Sequence, residues 1–492
     1  MAGWNFLSFE VVLFVSVLYL YMQFRKSNIL SLKPVRNLIV YVPPQDEDFD
    51  MLEKTNKGGR ENKKGEVNKY DKKKVSAKAK FPLRTIEINE AFLKHNQEFF
   101  VEYDFFFMLF VVILGLFAIT QGTKLVYPSL LETNIIFYMM IFLLAMAGMN
   151  LMKNTFSLGY FKYSDETKIE LLFAIKAFIV SFVCLKTFGS TTFFDFNIEK
   201  AHDDSQARVN QILSLIGGKL SLPYDFTYGI LGATSGLLTF CTVRLNIRFS
   251  YYFYVLTKNS AALLSSRVAD TPENKRYKRH LLLMYLNMLS PLLAVTFFIT
   301  PLIETLLVPD YIPLELWKGL RLLFVIGVVC LRSSTFREEL QFHFNESYFY
   351  VQKLMTDKNE KVFRYIKLRI QENFLSVWFS VFQQAANYII PLLLILCYVN
   401  RIVAFAPVSE ATSSFELTKV IEKINGGGGP GKYDLFSDSD SLGAIFAEIA
   451  AKGIFTGEYF DGVFSFLIFW FFLAQTFACV FSLLYYRKFV DN

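Results

Sequence analysis

Nine apolar stretches punctuate the chain, near residues 6–24, 105–123, 134–152, 169–188, 226–244, 281–304, 317–333, 374–400 and 462–486. A hydrocarbon core of about 30 Å is crossed by roughly 17 to 25 helical residues, and each stretch is long enough. Lipid offers no partner to backbone N–H and C=O groups, so a crossing segment must bond to itself, and these runs predict helices. The fold expected is all-α: a polytopic integral membrane helix bundle of about nine transmembrane helices.

Charge alternates in the segments between the runs. Lys153, Lys162 and Lys168 precede the fourth run, residues 257–280 hold six Lys/Arg against two acids, and Arg487-Lys488 follow the last run. On the other set of loops, 305–316 holds Asp310 and Glu315, and 401–461 has nine acids against five bases. Basic loops stay cytoplasmic, so the alternation predicts an outside N-terminus and a cytoplasmic C-terminus. The organisation expected is a first transmembrane helix over 1–24, then a basic, partly disordered cytoplasmic loop over 25–104. The main bundle follows over 105–400, an outer Gly-rich acidic loop over 401–461, and a last helix with a short tail over 462–492. Lys54 to Lys80 contains almost no apolar residue and is expected to be disordered. Gly426 to Gly429 with Pro430 reads as a flexible linker.

Helical spacing continues into two loops. Val209, Ile212, Leu213, Ile216 and Leu220 predict an amphipathic helix over 205–220. Leu340, Phe344, Val351 and Met355, then Val362, Ile366 and Ile370, predict amphipathic helical structure over 336–372 on the cytoplasmic side. With Lys361, Arg364, Lys367 and Arg369 beside it, that segment either lies on anionic headgroups or packs beneath the bundle.

Composition agrees with a membrane protein: 53% of residues are apolar and 54 are Phe. The net charge of +7 follows topology, so no nucleic-acid partner is expected. Five cysteines inside the runs lack metal or disulfide spacing and read as small core residues, and the four histidines are scattered. No metal or cofactor is expected. P-loop, GxSxG, HExxH and selectivity-filter strings are absent from the sequence, and the reading is non-enzymatic.

Polar residues inside the runs are the leads to function, because a charge at a helix centre costs roughly 2.5 to 3.5 kcal/mol on insertion scales. Lys176 is read either as snorkelling beside Glu170 or as facing an interior polar site. Arg321 lies at the depth of Glu10 and Glu304 and is read either as ion-paired with one of them or as snorkelling. Arg244 and Arg332 close their runs and are expected to anchor at the interface. Gln383, Gln384 and Asn387 share a face of the eighth run, as interhelical glue or as the lining of a hydrated path. Gly229, Gly232 and Gly236 permit a close helix contact, within the chain or between chains. Pro291, Pro301 and Pro391 are expected to kink their helices.

Ordered short strings resemble the transmembrane protein 161 family. They are Tyr160-Phe161-Lys162, Ile175-Lys176-Ala177, Leu238-Thr239-Phe240 with Arg244, and Asn287-x-Leu289-x-Pro291-Leu292 with Pro301. Leu320-Arg321-Leu322 with Leu331-Arg332, Tyr388 with Pro391-Leu392, and Ser465-Phe466-Leu467 with Trp470 complete the series. The resemblance spans about 95–400 and 462–488. It implies a multi-pass membrane protein with no established catalytic activity, whose vertebrate relatives are linked to excitability through potassium and calcium currents. A regulator or accessory subunit acting on ion channel subunits is the leading expectation. A channel or transporter in its own right, and a scaffold recruiting partners or anionic lipid, are the alternatives. The host membrane, plasma or internal, is left open.

Overall fold

The computed structural model of the chain describes residues 9–25, 31, 33–42, 83–95, 97–126, 135–157, 165–189, 193–194, 196–214, 219, 221–264, 272–307, 314–356, 362–404 and 457–489. The segments expected to be disordered (54–80) or a flexible linker (426–430) lie outside the described residues. Among the described residues, seven helical stretches are long and apolar enough to cross a membrane: Val101–Thr123, Ile136–Lys153, Thr167–Phe188, Tyr224–Lys258, Leu316–Phe349, Val377–Asn400 and Tyr459–Phe489. They match seven of the nine apolar runs. The first run appears as helix α1 (Phe9–Arg25), of 17 residues.

The sixth run divides into two helices, Pro272–Thr296 and Thr300–Leu307. The division falls just before Pro301, which has no N–H to give to the preceding turn and disfavours helical geometry in the residue before it. Phe298 N bonds Val295 O and Ile299 N bonds Thr296 O, a tightened last turn, and Thr300 N turns instead to Phe193 O at 3.0 Å. Pro291 and Pro391, by contrast, sit inside helices that continue past them.

Two compact units divide the chain. The larger comprises Met1–Phe24, Leu109–Ser333 and Ala386–Asn492. Its helices after α1 include α4 (Ile135–Ser157), α5 (Asp165–Phe188), α6 (Ile198–Ser214), α7 (Tyr224–Leu264), α8 (Pro272–Thr296), α9 (Thr300–Leu307), α10 (Leu314–Ser333) and α13 (Gly457–Phe489). The 41-residue α7 is the hub, packed against α4, α5, α6, α8 and α13. Its glycines face α5: a Cβ on Gly236 would stand 3.0 Å from the Ala174 carbonyl, and one on Gly232 3.3 Å from the Phe178 ring. Gly229 meets nothing within 4 Å, so the close approach belongs to Gly232 and Gly236 and lies within the chain. At one end of α13, a Cβ on Gly462 would overlap the Phe196 carbonyl. Phe194, Phe196, Phe298, Phe466 and Phe469 interlock there with ring centroids 5.1 to 6.3 Å apart. The expected amphipathic helix over 205–220 falls in part on α6, which starts earlier, ends at Ser214 and buries Ile198, Ala201 and His202; residues 215–218 and 220 of the expected helix lie outside the described residues.

The smaller unit comprises Arg25–Met108 and Ser334–Ala385. It holds α2 (Glu90–His95), the first part of α3 (Gln97–Val126), α11 (Phe336–Thr356) and the first part of α12 (Val362–Ala404). Strands β1 (Ile39–Tyr41) and β2 (Thr85–Glu87) pair antiparallel, Val40 opposite Ile86. The Gln341 amide of α11 completes the edge, accepting from Ile39 N at 2.8 Å and donating to Ile39 O at 3.0 Å. The two stripes expected over 336–372 therefore separate. The first is α11, with Leu340 and Phe344 buried, and the second is the start of the 43-residue α12. The structured ends of the basic loop, β1 and β2, were not expected from its charge.

Candidate functional site

The polar residues of the larger unit form an interlock among α5, α7, α10 and α13. Arg244 on α7 is buried among helices and does not face outward, which corrects the surface anchor expected from its position. Its Nη2 donates to Glu170 Oε2 and Thr167 Oγ1 at 3.1 Å each, and its Nε pairs with Glu170 Oε1. A planar fork meeting both oxygens of a carboxylate is the strongest protein ion-pair geometry, and here both side chains are 2% exposed. The glycine contact beside it explains why the pair forms: α5 and α7 approach closely enough for Arg244 to span them.

Arg332 is the second corrected anchor. At 4% exposure it lies over the Phe249 ring, 4.2 Å from the centroid, and its Nη2 donates to Asn246 Oδ1 at 2.9 Å. With the Gln475 amide oriented so that its oxygen faces the arginine, Oε1 accepts from Nη1 and Nε at 2.7 and 2.8 Å. Three helices, α7, α10 and α13, thus meet on one guanidinium, which has the donors for such convergence. Ser250 Oγ reaches Cys479 O at 3.1 Å, and Trp470 Nε1 donates to Thr239 Oγ1 at 3.3 Å, adding α7–α13 links at other levels.

A stripe on α7 organises these contacts. Ser235, Thr239, Thr242, Asn246 and Ser250 recur at four, three, four and four residues and are all buried. That pattern was readable as a helical face of small polar residues and was missed because no single member carries charge. Glu170, Thr167 and Gln475 were equally overlooked as partners.

Arg321 shares the inward face of α10 with Val325, Val328 and Arg332, and is 4% exposed. It stands 4.5 Å over the Phe298 ring, in the segment where α8 gives way to α9. A cavity of about 10 Å³, room for about one water, is lined by Arg321, Phe298, Lys318, Tyr398 and Ser465. The side chains of Glu10 and Glu304, its expected partners, lie outside the described residues.

Lys176 faces the other way. It is exposed on α5, while Glu170, the neighbour proposed for it, is buried in the Arg244 pair.

In the smaller unit, Glu339, His343 and Glu346 line one face of α11, and Thr335 sits just before its first turn. Glu339 is buried and accepts from Thr335 Oγ1 at 2.6 Å and Gln384 Nε2 at 2.8 Å. His343 lies with Nε2 3.0 Å from Ser380 Oγ and Nδ1 3.1 Å from Glu346 Oε2. The order serine, histidine, carboxylate matches a hydrolytic triad, but Ser380 is 2% exposed deep within α12. Helical N–H groups there bond their own carbonyls, so they cannot stabilise an oxyanion. Gln384 is thus bonded across helices. Gln383 is buried as well, as is Asn387 further along α12 in the larger unit, and their side-chain oxygens have no hydrogen-bond partner among the described residues.

Long apolar helices with buried charges bonded across them define a polytopic α-helical membrane protein. Residues 9–490 match the family model described as predicted transmembrane protein 161AB, and the chain belongs to that family. The match also covers residues 9–95 and the 401–461 loop, which the short strings did not reach. No curated protein and no solved structure matches the chain.

Proposed function

We propose that the chain is a non-catalytic membrane protein that regulates ion conductance, potassium or calcium, as an accessory subunit. One observation supports this reading above others: the charged and amide groups inside the larger unit bond to one another across helices. Arg244 is held by Glu170, and Arg332 by Asn246 and Gln475. A core tied in this way favours action through its surface, on other membrane proteins, over conduction through its own interior. The buried position of Ser380 supports the non-catalytic part of the reading. The direction toward ion currents comes from the family resemblance. Whole-cell recording with the gene deleted tests it: altered potassium or calcium current is the expected result, and unchanged currents at every voltage would sink it.

A channel or transporter is the second reading, favoured by the α8–α9 division beside Arg321 and the water-sized cavity. Interrupted helices line ion and substrate sites in many transporters. It requires flux in liposomes containing this protein alone, reduced in Arg321→Gln.

With either activity we place nine crossings, α1 and the divided α8–α9 included, with the N-terminus outside and the C-terminus cytoplasmic.

A further inference from the structure

The lysine on the outer face of α5 is the polar group that the bundle leaves unexplained. One face of α5 belongs to the interior, where Ala174 and Phe178 meet the α7 glycines and Glu170 meets Arg244. The opposite face presents Leu172, Ile175, Ile179, Val180 and Val183, all exposed, with Lys176 among them. Such a surface faces lipid or another helix.

Depth separates these two cases. Lys176 follows the exposed Lys168 by eight residues and precedes the exposed Lys186 by ten. Those separations are about 12 and 15 Å along the axis at roughly 1.5 Å per residue. Lys186 is already occupied at its end by Asp225, at 3.3 Å. Lys176 is therefore near the middle of the span, too deep for its stem to carry the ammonium out to headgroups by snorkelling. Among the described residues no side chain forms an ion pair or hydrogen bond with it. A charged group at that depth is normally directed toward a partner of opposite charge.

We propose that this face of α5 docks a transmembrane helix of a different protein, one bearing an Asp or Glu near the middle of its span. The inference rests on the accessory-subunit reading and specifies the partner's chemistry. Charge complementarity selects the occupant: a carboxylate neutralises Lys176, and the surrounding Ile and Val side chains supply a packing surface. A second copy docked α5 to parallel α5 would instead set lysine against lysine.

The test uses the full chain in neutral phosphatidylcholine vesicles with a single-span Leu/Ala peptide of about 20 residues carrying one central Asp. Energy transfer between labelled protein and peptide reads association. The Asp peptide is expected to associate roughly tenfold more strongly than the same peptide with a central Leu. Lys176→Leu should remove the difference, and Lys176→Arg should keep it. Lys176→Glu should transfer the preference to a central-Lys peptide, a reversal that a folding defect does not produce. Equal association of the Asp and Leu peptides with the native chain overturns the proposal, as does an unchanged Asp preference in Lys176→Leu. Self-association of the chain that displaces the Asp peptide also overturns it, in favour of a second copy. Recruitment through Lys176 with unaltered cellular currents overturns the conductance reading and leaves docking standing; altered currents without recruitment do the reverse.

Discussion

Removing one member of the Glu170–Arg244 pair strands the other charge in a packed, apolar interior. Breaking a buried pair costs about 3–5 kcal/mol, whereas replacing both members with apolar residues of similar volume is often neutral. Glu170→Gln and Arg244→Met are therefore each expected to destabilise by that amount, and the double variant Glu170→Leu/Arg244→Met to regain most of it. Thermal unfolding in detergent measures all three, and losses that simply add would show the two groups to be uncoupled. Arg332→Lys keeps the charge but loses the planar fork between Asn246 and Gln475, at an expected cost of about 1–3 kcal/mol in the same assay. These residues also show what the sequence could and could not reveal. Depth was legible, since Arg244 and Arg332 do lie at the ends of apolar runs. Direction around the helix axis was not. In a membrane both the lipid face and the interior face are apolar, so the periodicity that orients a soluble helix disappears. Hence the arginines were read as outward anchors, and Lys176, which points outward, kept an interior reading.

At the scale of elements, small residues take over the role of apolar periodicity in setting direction. Gly232 and Gly236 mark the face of α7 that meets α5, but Gly229, equally placed in the string, meets nothing. Gly236→Val is expected to force α5 and α7 apart, costing about 1–3 kcal/mol as overpacking typically does. It should also weaken the Arg244–Glu170 bridge that their approach permits. Gly229→Ala is expected to leave stability unchanged or slightly raised, by the helix propensity gained. A comparison of unfolding temperatures decides the matter, and equal effects at the two positions would show that the α5–α7 contact is not the reason for the glycines. The divided sixth run has a similar origin in local chemistry. Pro301 was visible in the sequence, but both prolines of that run were expected to kink it alike. What distinguishes them is tertiary: the Phe193 carbonyl receives the Thr300 N–H, so the chain can leave the helix before Pro301. Strands β1 and β2 escaped notice because three-residue strands carry little pattern, and part of their edge is completed by the distant Gln341.

For the whole molecule, the arrangement of charge along the chain makes a demand that the helices alone do not impose. An odd number of crossings sets the termini on opposite sides of the bilayer. The seven long apolar stretches give an odd number, and so do nine, because α1 and the α8–α9 pair add two. Were only one of these two a true crossing, the count would be eight and the termini would share a side. The decision thus falls on α1, with 17 residues barely the length of a span, and on whether α8 and α9 together pass through despite their division. Basic residues Lys278 and Arg279 at the exposed start of the α8 run and Lys318 past its far end bracket the pair. Between them the sheath of Leu282, Leu286, Leu289 and Leu293 is exposed as a lipid-facing surface would be. An epitope at the N-terminus is therefore expected to bind antibody on intact cells if the host is the plasma membrane, or on the lumenal side of sealed vesicles otherwise. One after Asn492 should bind only from the cytoplasmic side. Both epitopes on one side would remove either α1 or the α8–α9 pair from the crossings. A reactive cysteine placed at residue 270, between α7 and α8, then identifies which: four long spans precede it, so labelling from the side the termini share retains the α8–α9 crossing and discards α1, and labelling from the opposite side does the reverse.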